Sequence, residues 1–183
     1  MSILREYTSE KHKAAEATPF IQYMLNGNIT KEHYAWFLQQ MNIVYGEIEY
    51  FGELHNMFHD LPDIKRANYI YDDLIELGYN KILAQNSLIS TQKYKEHIMT
   101  LHYKQEHEKI LAHVYVRHMG DLYGGKIIAK RVPGSGKAYQ FADRPALIKA
   151  LDAKLSMDIL DEALLAFDFS TAIFDELMEK INE

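Results

Sequence analysis

The chain contains no cysteine. That excludes disulfides, thiolate zinc sites, iron–sulfur clusters held by cysteine, and a cysteine nucleophile. Proline and glycine are scarce, at 4 and 9 of 183 residues. Pro19, Pro62, Pro133 and Pro145 lie far apart, so long uninterrupted elements can form between them. No stretch approaches the 18 or so consecutive apolar residues a spanning helix needs. No basic start leads into an apolar run, and the chain closes on INE without a hydrophobic tail. The expectation is a cytoplasmic protein with no membrane anchor. Basic residues do not dominate either. Lys and Arg number 20 against 26 Asp and Glu, and the net charge of -6 makes a nucleic-acid partner unexpected.

What remains is 48% hydrophobic and 25% charged, a composition suited to one globular domain over 1–183. The apolar spacing is helical nearly throughout, with no internal repeat and no convincing strand alternation. Helices are expected over 3–18, from Thr30 as an N-cap through a run carrying Tyr34, Phe37, Leu38, Met41, Val44, Tyr45 and Ile48, and over 62–77 with a stop at Gly78. A long helix over 91–119 leads into a glycine segment, and helices over 145–155 and 157–181 close the chain. The fold class is all-α.

Residues 120–126 read GDLYGGK. A phosphate-binding loop would need a preceding strand, and Ser or Thr after the lysine. Here the preceding segment is helical and Ile127 follows Lys126, so that reading fails. In a helix each interior glycine costs about 0.8–1 kcal/mol relative to alanine, roughly 2–3 kcal/mol for three. Gly120 and Gly124 share a face and, with Gly125, make a stripe without Cβ atoms. Periodicity leaves two readings open: close helix packing, or close approach of a flat ligand.

The first helix bears on that choice. Arg5, His12 and Glu16 lie within about 40° of one another around a helix of 100° per residue. A carboxylate one turn after an imidazole can fix the ring through its second nitrogen, and a cation two turns before it can meet a ligand's carboxylate.

The sequence resembles the heme oxygenases. The family's distal-helix signature is matched by Tyr115, Arg117, Gly120, Asp121, Leu122, Gly124 and Gly125 in YVRHMGDLYGG, and its proximal segment by Arg5, His12, Ala15 and Glu16. The final helix AFDFSTAIFDEL is similar too, with Phe167, Ser170 and Phe174 facing the pocket in that alignment. The resemblance implies a single multi-helical domain with heme b, both substrate and cofactor, sandwiched between a proximal helix and a kinked distal helix. It implies His12 as the iron ligand, which fits a chain where thiolate is excluded, and Glu16 as its orienting partner. Gly120 and Gly124 would lie over the opposite face, and Asp121 would hold water that delivers a proton during oxygen activation. Tyr115 and Arg117 would join that network. Arg5 and Lys149 would pair with the propionates. The reaction implied is cleavage by O2 and external electrons to biliverdin IXα, CO and Fe2+.

Departures from the family pattern bear on regiochemistry. Arg5 stands where Lys is common. Ala153 stands where many relatives carry a clamping Arg, beside Lys154, and His118 and Tyr123 replace more usual residues. No flavin or nicotinamide fingerprint appears, so electrons are expected from ferredoxin or another reductase. Lys126, Lys130, Arg131 and Lys137 are either a docking patch for it or a solvated face. A downstream bilin reductase is a further expected partner. The alternative from another class is a non-catalytic heme carrier or sensor. His55 and His59 form an i, i+4 pair able to chelate metal, with no third ligand apparent in sequence. No Glu-x-x-His string occurs, which disfavours a di-iron bundle, and thiaminase-like helical hydrolases need a cysteine nucleophile.

Overall fold

The structure is a computed structural model describing residues 3–79 and 87–183. Its helices are α1 (Arg5–Glu16), α2 (Pro19–Leu25), α3 (Lys31–Leu54), α4 (Ala67–Glu76), α5 (Ile89–Tyr103), α6 (Ile110–Val114), α7 (Gly120–Ile128), α8 (Arg144–Asp152) and α9 (Leu160–Asn182). Among the described residues there is no strand, and no helix is long and apolar enough to cross a membrane.

The central element is α3, 24 residues and about 36 Å long. Thr30 caps it as expected, its hydroxyl accepting from the His33 amide at 3.1 Å. Its buried side includes Tyr34, Leu38, Met41, Tyr45 and Ile48, against which α4, α5, α6 and α9 pack. The other long helix, α9, packs on α1, α2, α5 and α6.

Two boundaries, at Pro19 and at the start of α4, differ from expectation. Pro19 ends the first helix but also opens α2, because the first helical position needs no amide hydrogen and Thr18 is extended before it. Residues 62–66 are not helical; α4 begins at Ala67, where Glu49 of α3 accepts from the amides of Arg66 (2.5 Å) and Ala67 (3.1 Å). Gly78, at φ 80°, follows the end of α4 as expected.

The expected helix over 91–119 is broken. It stops at Tyr103, reverses through Gln105 at φ 62°, restarts as a 3₁₀ turn at His107–Lys109, and continues into α6. A π turn at Tyr115–Met119 then leads into α7 without a gap. A π turn widens the helix and shifts the phase of every side chain beyond it. It does so here immediately before Gly120.

Candidate functional site

One face of α1 lines a cleft of about 370 Å3. Arg5, Thr8, Ser9, His12, Lys13 and Glu16 form that wall. Their spacing of three, four and seven is that of a single helical face. Tyr115, Val116, Met119, Gly120 and Tyr123 form the opposite wall, and Phe167 of α9 closes one end. Thr8 Oγ1 lies 3.0 Å from the Tyr115 hydroxyl, joining the two walls through buried groups. The Thr8 hydroxyl also reaches the Leu4 carbonyl at 3.0 Å, anchoring it to its own helix.

His12 and Glu16 sit one turn apart, with Nδ1 3.5 Å from Oε2. The carboxylate therefore faces one ring nitrogen and leaves Nε2 available to a ligand. The ring packs edge-on to Phe167, with centroids 6.0 Å apart. Across the cleft, a Cβ built on Gly120 would meet nothing within 4 Å, so Gly120 presents bare backbone to open space; Gly124 is equally unobstructed but does not line the cleft. Gly125 differs. Its Cβ would come within 3.1 Å of Tyr139, so this glycine serves packing of α7 onto the 137–139 turn. The three glycines thus split between the two readings left open by periodicity. Arg5 stacks its guanidinium 5.5 Å from the Tyr123 ring at the cleft's edge.

Asp121 points elsewhere. Its carboxylate lies behind the distal segment, in a small interior space shared with Tyr45, Arg117, Met41 and Tyr139. The Tyr45 hydroxyl donates to Asp121 Oδ2 at 2.5 Å. Burial pushes the Asp121 carboxyl above the ordinary carboxylate range, while Arg117 and the Tyr45 hydrogen bond pull it back. Burial likewise raises Tyr45, although Arg117 opposes it, so the phenol stays protonated as a donor. Arg117 donates to Ser170 Oγ at 3.3 Å and to Met41 Sδ at 2.8 Å, and stacks over Tyr45. Arg144 donates to the carbonyls of Asp121 (2.9 Å) and Leu122 (2.8 Å), fixing the start of α7.

Of the residues singled out from sequence, Arg5, His12, Glu16, Tyr115, Gly120 and Phe167 come together around the cleft. Arg117, Asp121 and Ser170 form the polar layer behind it. Phe174 stacks with Phe20 in the core, and Ala15 is buried. Lys149 is exposed on α8 and does not line the cleft. Lys154 pairs with Asp60 at 2.7 Å, which occupies the cation next to Ala153. His118 faces inward to Glu49 at 3.0 Å. Lys137 lies 3.8 Å from Asp72, while Lys126, Lys130 and Arg131 are exposed.

Sequence reasoning missed Thr8, Lys13 and Tyr45. The first two were legible as neighbours on the His12 face; Tyr45 was visible only as a core residue of α3. A larger hollow of about 620 Å3 lies between α5 and α9, but no histidine or glycine lines it.

Comparison with known proteins gives the same picture. A sequence model of the heme oxygenase family matches residues 1–176. Mouse heme oxygenase 2 is 30% identical over 96% of this chain, which spans 64% of the mouse protein's length. The solved structure of heme oxygenase from Leptospira interrogans superposes with a TM-score of 0.81 at 31% identity, covering 96% of this chain and all of that one (100%). Synechocystis heme oxygenase-1, solved in complex with heme, superposes with a TM-score of 0.83 at 23% identity over 98% of this chain and 94% of its own, and shares the fold. An imidazole-bearing helix facing a glycine-bearing one, in a chain matched over nearly its whole length, has one consistent assignment: the protein belongs to the heme oxygenase family.

Proposed function

We propose that the cleft binds heme and that the protein catalyses its oxidative opening to biliverdin, CO and Fe2+, with the α isomer as product. The observation that carries this is the pairing of His12, backed by Glu16, with the bare backbone of Gly120 across one cleft. The walls suit a flat, largely apolar ring with charged substituents. Val116, Met119 and Phe167 offer apolar contact, Gly120 admits close approach, and Arg5 and Lys13 offer cations. We assign the propionate-pairing role to Arg5 and Lys13 in preference to Lys149, which stands away from the cleft. Gly125 is assigned to packing.

When bound, heme would supply a redox-active iron and the ring carbon to be cleaved. The protein's own groups bind, orient and move protons. His12 would hold the iron through Nε2, with Glu16 setting the ring's orientation. Gly120 leaves room over the distal face. Asp121, with a raised carboxyl pKa, holds and releases a proton from behind that wall, tuned by Tyr45 and Arg117. Tyr115 and Thr8 extend the polar path between the walls. Electrons come from an external reductant such as ferredoxin, for which Lys126, Lys130 and Arg131 offer an exposed basic patch.

The test is to load the protein with hemin and supply a ferredoxin system or ascorbate under oxygen. Loss of the Soret band with growth of bilin absorption is expected. A stable oxygenated complex that never degrades would reduce the protein to a heme carrier. His12→Ala is expected to abolish the imidazole-ligated spectrum, and an unchanged spectrum would remove His12 as the ligand.

A further inference from the structure

The histidine pair His55 and His59 does not act as a pair. His59 turns its Nδ1 to the Asn56 carbonyl at 3.0 Å. His55, which terminates α3, instead meets two histidines from other segments: His102 in the last turn of α5 and His107 at the start of the 3₁₀ turn. One nitrogen from each of the three lies within 4.8 Å of the others. We propose that His55, His102 and His107 form a binding site for one divalent transition-metal ion of the Zn2+ type, separate from the heme cleft.

Zn–N bonds of about 2.0–2.1 Å at tetrahedral angles place ligand nitrogens about 3.4 Å apart. His55 Nε2 and His102 Nδ1 are already 3.0 Å apart, sharing a proton between them. To ligate one ion, the ring that donates this hydrogen shifts to the tautomer with its N–H on the other nitrogen, so both facing nitrogens present lone pairs. The His107 ring stacks on His55, with centroids 3.7 Å and planes 21° apart, so His107 must turn about its side-chain torsions to aim a nitrogen at the same ion. His107 Nδ1 is buried without a hydrogen-bond partner, a lone pair or N–H that a ligand would satisfy. Three imidazoles and an open fourth position form a donor set suited to Zn2+.

The electrostatics agree. Among the described residues none of the three histidines is ion-paired with a carboxylate. Burial holds His55 below its ordinary pKa, with His107 and His102 adding to the effect. The other histidine cluster is already satisfied. His97 and His113 both hydrogen-bond Glu162 Oε1, and His113 Nδ1 meets the Tyr94 hydroxyl. Occupied, the His55 site would clip the end of α3 to the reversal at Gln105, where the distal segment begins.

Titration of the 183-residue, heme-free protein with ZnCl2 in a calorimeter is expected to show one ion per chain, with a rise in Tm. His102→Gln and His107→Gln should each weaken binding at least tenfold, whereas His59→Gln and His12→Ala should not. X-ray absorption on the Zn2+-loaded wild type, which needs no variant to fold, should count three imidazole ligands. Absence of saturable binding, a count below three, or full retention of affinity in His102→Gln and His107→Gln would overturn the assignment. Hemin binding and bilin formation are read separately, so failure here leaves the heme reading intact.

Discussion

The Tyr45 hydroxyl donates a 2.5 Å hydrogen bond to Asp121, linking the middle of the central helix to the first turn of α7. The bond favours the charged carboxylate and works against the burial that raises its pKa. Tyr45→Phe removes the donor while keeping the ring against His118 and Arg117. The Asp121 carboxyl should therefore titrate at higher pH. The limb of the pH–rate profile of bilin formation that belongs to Asp121 should move up with it, at unchanged hemin affinity. Stability should fall by about 1–3 kcal/mol in urea denaturation, the range for losing a hydrogen bond to a charged group. A profile that stays in place would detach Asp121 from the rate.

Gly120 and Gly125 should respond oppositely to the same change. A methyl at Gly120 meets nothing within 4 Å, so Gly120→Ala gains helix propensity of about 0.8–1 kcal/mol. A methyl at Gly125 comes within 3.1 Å of the Tyr139 Cβ and Cδ1, and the buried ring must give way. The expected order of Tm is Gly120→Ala above wild type and Gly125→Ala below Gly120→Ala. Hemin affinity should reverse that ranking, because only Gly120 lies on the cleft wall. Equal affinities in the two variants would place the ligand elsewhere.

The contrast between these glycines marks where sequence reading stops. Helical phase placed 120 and 124 on one face, and the structure keeps both open. It could not assign Gly125, because Tyr139 reaches it from a separate turn. Thr30 announced the start of α3 through a cap that is local in sequence. The break at Gln105 had no such signal, since a non-glycine residue adopts positive φ there within a polar triplet. The π turn at 115–119 leaves no compositional trace either, yet it sets which side chains after Val114 face the cleft. Asp121 was legible as a neighbour of Gly120. Its partner Tyr45, 76 residues earlier, read only as core. The histidine cluster was missed for the same reason: its three members come from three segments, and only the i, i+4 pair that does not form was visible.

His12 and Glu16 are both half-exposed, and their 3.5 Å approach is screened by water. Glu16→Ala should accordingly weaken hemin binding by no more than about fivefold, equivalent to roughly 0–1 kcal/mol. The imidazole-ligated spectrum should persist, because the iron-ligating nitrogen is untouched. A loss as large as that from His12→Ala in hemin titrations would show that Glu16 does more than orient the ring.

Glu162 gives the fold an acid-sensitive joint between α5, α6 and α9. Burial alone would raise its carboxyl, but hydrogen bonds from His113 at 2.9 Å and His97 at 2.5 Å outweigh burial and hold it at about 2. His113, fully buried, is pushed below its ordinary value by desolvation, and its Nδ1 accepts from Tyr94. A carboxyl depressed in the folded state contributes stability that is complete above its unfolded value of 4.5 and lost as pH falls toward 2. The contribution is on the order of 2–3 kcal/mol. Unfolding free energy measured in urea should decline across that window. Glu162→Ala should flatten the decline and lower stability at neutral pH by roughly 2–4 kcal/mol, since two imidazole N–H groups lose their acceptor. Because the same helices carry α6 into the distal segment, that loss should appear in hemin-free protein as much as in loaded protein. A neutral-pH stability equal to wild type would mean the two histidines find other partners.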